Sequence, residues 1–585
     1  MSTQTIPNSQ GQIRQTITSD TNGEIVESFN LNLNKKEGKI FVSERMDKLF
    51  GGVVAQRADI RAFALYKAEY YALCDSGFAQ KAGIASDLTD PDSWTNETGI
   101  SASHINDMTD AVVFNDLLLF SDDDNVSSWD DASDDNTWWS TNFGSTLTAN
   151  YPHTMHVHRG GQETLFVTDA NTIKYMNFPG GTPNPATITL QEDLIACCVA
   201  SGVSAVWVGT YSESSNNAYV YEVYVGEVSG STPVARNAYK IDGRAVLAIE
   251  VIGNTPYIIT DRGQIQVFNG AGFVTVNAFP FYNSNISLNG VRPAQINPES
   301  NRRMIHPKGV QLHNDSLYIN LANDLSGDDF VSDTPAGVWE FNSKTGQLNH
   351  RFSFAESTSA YGAVHTDRTG PLMIVDNNDV FLLGASKQET ETIGSMYVTT
   401  TGTNQGWFMT SEIQSGTIQD TYEAVYHKAK TLTSGESIHT LYRTSKRDTV
   451  FGEINWLGAS SFTTTADWSG VAKGELIRIS QGYGTGEWAM VTDITPSATT
   501  YSVTVSREIG AVSEVSYAYT DNFKQVGRDK DTQTYNENAT YTTTDGEYKK
   551  IGIGETSPWI QYLVIMKGNI EYRQFISKGN SKTEL

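Results

Sequence analysis

Cysteine is scarce in this sequence of 585 residues. The three cysteines are Cys74, Cys197 and Cys198. Because their number is odd and two of them are adjacent in the chain, they do not form a framework of paired disulfides. The pattern is typical of a chain folded in a reducing cytosol, with the thiols as small core side chains.

Charge is also scarce, and basic charge most of all. Charged residues make up 18% of the sequence, and 67 acidic residues face 41 basic ones, for a net charge of −26. An acidic surface repels phosphate, so we expect neither direct nucleic-acid binding nor adsorption to anionic membranes. The rest of the polar surface must come from uncharged residues, which favours strands and turns over long helices.

Long apolar runs are missing. The first 20 residues contain no apolar core of a signal sequence, so we expect neither secretion nor membrane insertion. The most apolar window, Leu194–Tyr211, has Ser201 and Gly202 near its middle and predicts two buried strands joined by a turn. The polar N-terminus is either an extended arm anchored by Ile13 and Ile17 or a frayed end.

What the sequence does contain is a hairpin pattern that recurs between Phe63 and Met396. In its clearest copy we predict strands at Tyr257–Thr260, Gln264–Phe268 and Phe273–Val276, joined by turns in which Gly and Asn supply positive φ angles. Seven units recur at an average spacing of about 50 residues, which is typical of propeller blades. They begin near Ala64, Val112, Met155, Ile195, Leu247, Val310 and Gly362.

The fold class predicted from these patterns is all-β. We expect an N-terminal arm with lead-in strands over residues 1–54 and a seven-bladed β-propeller over 55–400. Alternating apolar and polar residues predict a C-terminal β-sandwich over 401–450 and 523–585, with a small β-barrel inserted over 451–522. Two successive sandwiches are the alternative to the propeller, but they do not explain why one hairpin pattern repeats.

An acidic loop over residues 121–135 is the first candidate for a site. Calcium prefers several oxygen ligands held by one loop, but the glycine and glutamate spacing of an EF-hand is absent. A solvated loop is the alternative reading. The acidic residues are Asp122, Asp123, Asp124, Asp130, Asp131, Asp134 and Asp135.

A histidine group forms the second candidate. His156 and His158 point to the same face if they lie on a strand, and His153 is close by. Two imidazoles could supply two ligands of a metal site, but the segment contains no obvious third ligand. A hydrogen-bonded strand is therefore the alternative. The sequence therefore assigns no metal-binding residue.

The glycine-rich stretch Gly482–Gly486 resembles a phosphate-binding loop. That chemistry needs a helix after the loop, whereas Glu487–Thr492 predicts a strand, so a hairpin is expected. The sequence has no nucleophile elbow, zinc-protease, P-loop, paired CxxC or kinase motif. No pair of carboxylates stands out for glycoside hydrolysis either. We therefore predict no enzyme, no catalytic or cofactor-binding residues and no cofactor.

Five segments carry a resemblance to a known family. They are Leu117–Asp122 and Tyr257–Phe268 in the repeats, and Thr410–Ile413, Ser434–Arg443 and Ser557–Ile565 in the C-terminal part. Together they resemble the propeller-plus-sandwich proteins in the tails and baseplates of tailed bacteriophages.

That resemblance implies a virion structural protein, made in the host cytoplasm and located in the tail as a nozzle, hub or baseplate component. It would serve as an assembly scaffold, in many copies arranged as a homo-oligomer around the tail axis and in contact with other tail proteins.

Two alternatives stay open. The first is a module that binds glycans of the host surface by stacking sugars on exposed aromatic rings, with Trp94, Trp129, Trp138 and Trp139 as candidates. For each of these rings, packing between neighbouring repeats is the alternative. The second and weaker alternative is a carbohydrate-active enzyme.

Overall fold

Strands make up almost all of the regular structure in the computed structural model. It describes residues 2–7, 25–33, 39–49, 60–74, 78–101, 108–151, 153–160, 163–178, 181–212, 217–226, 232–279, 305–321, 337–352, 354–355, 368–375, 380–386, 394–400, 405–414, 421–433, 436–445, 450–482, 487–525 and 548–580. The prediction of an all-β chain is confirmed. One short α-helix, α1 (Trp138–Phe143), and a 3₁₀ turn at Pro91–Ser93 are present within these ranges.

Sheets 1 to 6 are four-stranded, antiparallel and consecutive in the chain, and they are the recurring unit of the sequence. Sheets 1 and 2 comprise β6 (Ile60–Tyr66), β7 (Glu69–Cys74), β8 (Phe78–Gly83), β9 (Thr95–Glu97), β10 (Asp110–Phe114), β11 (Leu117–Ser121), β12 (Val126–Trp129) and β13 (Asp134–Asp135). Sheets 3 and 4 comprise β14 (Met155–His158), β15 (Thr164–Asp169), β16 (Thr172–Asn177), β17 (Asn184–Thr189), β18 (Leu194–Ser201), β19 (Ala205–Ser212), β20 (Tyr219–Tyr224) and β21 (Val234–Lys240). Sheets 5 and 6 comprise β22 (Val246–Ile252), β23 (Thr255–Thr260), β24 (Gln264–Phe268), β25 (Phe273–Ala278), β26 (Val310–His313), β27 (Ser316–Leu321), β28 (Gly337–Asn342) and β29 (Gln347–Phe352).

Sheet 7 combines strands from distant parts of the chain. Its order is β30 (Phe354–Ala355), β5 (Arg45–Lys48), β33 (Gly394–Thr400), β32 (Val380–Ser386) and β31 (Arg368–Val375). The N-terminal strand β5 pairs antiparallel with β33 and parallel with β30.

The first strands of sheets 1 to 6 and the edge strand β31 of sheet 7 contact one another in a closed cycle, which we call the ring. β6 contacts β10, and the contacts continue through β14, β18, β22 and β26 to β31, which contacts β6 again. Each sheet therefore covers one face of the next, because no single sheet can bury both of its faces alone.

Turn chemistry explains the hairpins within the sheets. Asn115 and Asp116 have φ angles of 50° and 60°, and Asn314 and Asp315 have 48° and 64°. Two consecutive left-handed residues make the type I′ turn whose twist matches a two-residue hairpin, and Asn and Asp tolerate that region best.

A Ser/Thr-Asp pair closes the second strand in several sheets. The Thr168 hydroxyl accepts the amide of Thr154 at 2.9 Å, and Asp261 accepts the amide of Arg244, also at 2.9 Å. In sheets 3 and 5 these polar ends fix the segment that leads into the first strand.

Two six-stranded sheets, 8 and 9, lie outside the ring. Sheet 8 contains β1 (Ser2–Pro7), β3 (Leu31–Asn32), β4 (Ile40–Val42), β36 (Thr421–Ala429), β45 (Tyr548–Thr556) and β47 (Glu571–Asn580). Sheet 9 contains β2 (Ile25–Phe29), β34 (Gln405–Thr410), β35 (Ile413–Gln414), β37 (Ser437–Arg443), β44 (Lys524–Gln525) and β46 (Trp559–Lys567). Side chains of both sheets, such as Val425, Phe575, Ile438 and Val564, share one hydrophobic cluster.

A closed six-stranded barrel is inserted between β37 and β44, which confirms the predicted small barrel. Its core contains Trp456 and Trp468, both almost fully buried. Around the barrel the strands run β38 (Val450–Gly458), β39 (Ser461–Thr464), β42 (Tyr501–Val505), β41 (Trp488–Pro496), β40 (Leu476–Gly482) and β43 (Val515–Thr520).

The N-terminal segment connects the ring with sheets 8 and 9. Its strand β1 pairs with β47 of the same chain, β2 joins sheet 9 and β5 joins sheet 7. The predicted anchors Ile13 and Ile17 lie outside the described residues.

Met46 gives a direct test of this connection. Its side chain on β5 is fully buried in a cluster of sheets 6 and 7 that includes Tyr318 and Phe381. We expect Met46→Ala to lower the free energy of unfolding by about 2–4 kcal/mol, because it removes buried apolar volume and leaves a cavity. Urea denaturation followed by tryptophan fluorescence measures the change.

The matched control is Leu457→Ala in the barrel, where the side chain is 56% exposed. It should change stability by no more than about 0.5 kcal/mol. Equal effects of the two substitutions would show that β5 does not hold the ring.

Candidate functional site: the ring axis and the module junction

Lys308 spans the interior of the ring. It precedes β26 of sheet 6, yet its ammonium donates to the Met155 carbonyl of sheet 3 at 2.6 Å and lies 3.4 Å from the Asp110 carboxylate of sheet 2. Sheets 2 and 3 do not neighbour sheet 6 in the cycle of contacts. The lysine therefore reaches across the axis.

The partner of Lys308 is held rigidly. Asp110 is 1% exposed and accepts the amides of Ala111 at 2.8 Å and Met155 at 2.7 Å. Burial raises the pKa of Asp110, while the Lys308 charge and the two amides oppose that shift. A buried carboxylate of this kind is tolerated because a cation and two amides compensate it.

Two further titratable groups lie near Lys308. Burial raises the pKa of Glu250 on β22 to about 7, against partial compensation by the Val251 amide and the Lys308 charge. Burial, reinforced by the Lys308 charge, lowers the pKa of His156 to about 3, and its Nε2 lies 2.7 Å from the Ser201 hydroxyl. We call Asp110, His156, Glu250 and Lys308 the axial cluster.

The axial cluster can hold and release a proton near neutral pH through Glu250. The other polar contacts of the cluster, such as those of Lys308 with Asp110 and Met155, connect different sheets. One signal in the sequence points to it, because Glu250 is the single acid in the otherwise apolar strand Val246–Ile252. Sequence reasoning missed Lys308 and Asp110, since neither residue stands out locally.

The second candidate region is the junction between the ring, sheet 9 and the barrel. Phe29 on β2 stacks on His350 of sheet 6, with ring centroids 4.2 Å apart and planes 14° apart. It also stacks on Trp407 of sheet 9 at 5.8 Å and 12°. The Asn30 amide lies 3.3 Å from His350 Nδ1, which fixes the register of this contact.

Arg478 of the barrel continues the stack. Its guanidinium lies 4.1 Å from the Trp407 ring centroid and 4.4 Å from that of Tyr519. The Arg478 side chain is 2% exposed, and its Nη2 lies 2.7 Å from Asp521 Oδ2. His350, Phe29, Trp407, Arg478 and Tyr519 form what we call the stacked column.

A second arginine supports the same carboxylate. Arg443 on β37 lies 3.6 Å from Asp521 and donates to the Asp521 carbonyl at 2.9 Å. Barrel and sheet 9 thus share one buried ion cluster at the edge of a common apolar contact that includes Trp488 and Leu563.

The acidic loop uses its carboxylates to close local turns. Asp122 accepts the Asn125 amide at 2.7 Å, and Asp130 accepts the Ser133 amide at 2.7 Å. Asp135 accepts the Thr137 amide at 2.9 Å. Within the described ranges, no group of three or more His, Cys, Asp or Glu side chains is placed to hold a metal ion.

The three histidines have separate surroundings. His153 is fully buried between the carbonyls of Thr168 and Asp123, at 3.0 and 2.8 Å. His156 and His158 lie on β14 as expected, but His156 contacts Ser201, and burial lowers the pKa of His158.

The four tryptophans considered as sugar platforms are buried core residues, which fits the alternative reading of packed rings and not exposed platforms. Their exposed fractions are 4% for Trp94, 3% for Trp129, 6% for Trp138 and 0% for Trp139. Aromatic content in a sequence does not distinguish a ring on a surface from one packed between sheets.

Around the glycine-rich stretch, β40 ends at Gly482 and β41 starts at Trp488, so a strand follows it and not a helix, as predicted. Residues 483–486 lie outside the described residues. In the described parts of the chain, no helix is long and apolar enough to span a membrane.

Comparisons with known proteins add little to this picture. No family model and no curated protein matches the sequence. Among solved structures, the computationally designed Ika8 protein matches at 13% identity and a TM-score of 0.35, over 61% of this chain and 99% of that one. A chain of the mitotic checkpoint complex matches at 11% and 0.35, over 62% and 95%. The WD40 β-propeller domain of Doa1 matches at 9% and 0.37, over 61% and 96%.

Glu250 predicts a pH dependence of stability. Its pKa rises from 4.5 to about 7 on folding, so between these values the unfolded chain loses a proton that the folded chain keeps. Stability should therefore fall as pH rises from about 4.5 to 7, by on the order of 1–3 kcal/mol. Glu250→Gln should remove this component, making the variant more stable than the wild type at pH 8 but not at pH 4.5.

Urea denaturation at a series of pH values measures this difference. Glu508→Gln, at an exposed position of the barrel, should leave the wild-type profile unchanged. A Glu250→Gln profile parallel to that of the wild type would contradict the assignment.

The buried charge of Arg478 leads to a prediction about the stability of the junction. Arg478→Ala should destabilise the barrel and sheet 9 by about 3 kcal/mol, because Asp521 then keeps a buried charge with one weaker partner. Removing both charges, with Arg478→Met and Asp521→Asn, should cost less than Arg478→Ala alone. Urea denaturation of the three proteins measures the difference.

A surface pair serves as the control. Lys473 and Asp493 lie 2.7 Å apart with both side chains 55% exposed, so Lys473→Ala should change stability by less than about 1 kcal/mol. If the double variant were no more stable than Arg478→Ala, charge burial would not explain the junction.

Proposed function

We propose that this chain is a structural component of the tail of a tailed bacteriophage, acting as an assembly scaffold and interaction platform. In this proposal sheets 1 to 7 are the blades of a seven-bladed β-propeller, and sheets 8 and 9 are the two layers of a β-sandwich. The nozzle, the hub and the baseplate are the positions in the tail that fit such a scaffold.

The stacked column is the observation that carries the proposal. It joins the ring, sheet 9 and the barrel through His350, Phe29, Trp407 and Arg478, each nearly buried. A scaffold has to hold its contact surfaces at fixed relative positions, and buried stacking with a paired charge restricts relative motion of the parts.

A second contact supports rigidity between ring and sheets. Arg351 on β29 lies 2.9 Å from Glu44, and Asn349 donates to the Leu31 carbonyl at 3.2 Å. Both bonds connect the outer strand of sheet 6 with the N-terminal segment, so the ring is attached along the length of β29.

The surface chemistry is consistent with large protein interfaces. Charged residues make up only 18% of the sequence, and the net charge is −26. Under the proposal the partners are other tail proteins and further copies of this chain around the tail axis, and the acidic surface disfavours direct binding of nucleic acid. The chain would be made in the host cytoplasm and reside in the virion tail without catalytic activity of its own.

The experiment combines genes and proteins. The proposal predicts portal, tape-measure or tail-tube genes beside the gene for this chain. It also predicts that the purified chain joins complexes with the products of those neighbouring tail genes, as measured by light scattering and negative-stain electron microscopy. Robust release of products from polysaccharides, with no assembly on tail proteins, would contradict it.

Variants of the junction sharpen this test. Arg478→Ala should lower the yield of the joint complex severalfold, because the barrel loses its fixed position, whereas Lys473→Ala should leave the yield unchanged. Equal yields for both variants would remove the link between the stacked column and assembly.

A further inference from the structure

The outer strands of sheets 1 to 6 are protected in different ways against pairing with other chains. Protein sheets blunt their edges with short strands, charges, proline, bulges or covering segments. Here β9 and β13 have only three and two residues, β17 contains Pro185, and β21 carries Arg236 and Lys240. The outer strand β29 is buried against the N-terminal strands.

The outer strand of sheet 5, β25, is the exception among these six. Phe273–Ala278 has six residues, with no charge and no proline. Val274, Thr275 and Val276 are exposed in succession, the two valines at 42% and 40%. Among the described residues, the protection of β25 is a bulge at Val276, and Phe273–Thr275 form a regular edge that pairs with no described strand other than β24.

The strand is firmly supported from within the chain. Phe273 packs on Phe268 at 5.5 Å and on Trp207 at 6.3 Å, edge to face. At its other end, the Asn277 side chain donates to the Gly346 carbonyl at 2.8 Å. A partner strand would therefore meet an edge that is already ordered, so it loses little free energy to ordering β25.

The distribution of charge on the chain favours a second copy of the same chain as the partner of this edge. Two copies of the chain each carry −26, so most of their surfaces repel one another. From Gln264 to Phe279 the sequence contains no charged residue. This neutral strip is a place where two identical acidic molecules can approach.

We propose that β25 pairs with the β25 of a second copy of this chain, antiparallel about a two-fold axis. Sheet 5 of one copy then continues into sheet 5 of the other, with Val274 near the centre of the contact. A two-fold contact requires a self-complementary surface, and an uncharged strand of β-branched residues meets that requirement.

The contact is small. A stable interface buries about 800 Å² on each partner, more than one short strand supplies, so this pair should form reversibly at micromolar concentrations. Salt should strengthen it, because screening reduces the repulsion between the acidic bodies.

Sedimentation analysis of the full chain over about a hundredfold concentration range tests the proposal. The wild type should shift from monomer towards dimer as concentration rises, and added salt should lower the dissociation constant. Val274→Lys should raise that constant at least about tenfold, because it places like charges opposite each other across the two-fold axis. Mixing the Val274→Lys and Val274→Glu proteins should restore the dimer.

The control is Val512→Lys, which adds the same charge at a 70% exposed valine of the barrel and should leave the dissociation constant unchanged. A wild type that stays monomeric throughout, an association weakened by salt, or a mixture of the two Val274 variants that fails to pair would each overturn the proposal. Because the test uses the purified chain alone, its failure is distinct from a failure to assemble with tail proteins.

Discussion

The burial of one guanidinium fixes how the parts of this chain meet. An ion taken out of water costs several kcal/mol, and only good geometry offsets that cost. Arg478 meets the requirement through Asp521 and through the faces of Trp407 and Tyr519, which belong to sheet 9 and to the barrel. Rotating the barrel on sheet 9 would break these contacts together. Since Trp407 also stacks on Phe29, the same constraint reaches the ring.

The N-terminal segment extends this constraint through the chain. Asn30 has a φ of 52° and turns the chain from β2 in sheet 9 to β3 in sheet 8. Its neighbour Gly406 permits the close approach, because a Cβ there would lie 2.5 Å from the Asn30 carbonyl oxygen. Further along, β5 completes sheet 7 beside strands more than 300 residues away. The first 49 residues thus join three sheets, and such non-local pairings slow folding because they require long loops to close.

Local chemistry explains which parts of the fold could be predicted from sequence. The strand predicted at Gln264–Phe268 has those bounds, and the barrel predicted over 451–522 runs from Val450 to Thr520. Turn residues and alternating patterns involve only a few consecutive residues, so they can be recognised in the sequence. The membership of β5 in sheet 7 and the burial of Trp129 depend on partners far along the chain, and no local pattern specifies them.

The axial cluster, too, is only partly predictable from the sequence. Glu250 can be noticed as one acid in an apolar strand, but its relation to Lys308 and Asp110 arises only when three separate repeats meet. These polar contacts also distinguish one arrangement of the sheets from another, which apolar packing does only weakly. The sheets resemble one another, so apolar contacts between their faces discriminate weakly among alternative orders. Lys308 of sheet 6 satisfies Asp110 of sheet 2 and the Met155 carbonyl of sheet 3 only when the intervening sheets have their places. The buried Asp110 carboxylate therefore favours one closure of the ring over its near-equivalents, at a cost in desolvation that an apolar axis would not have.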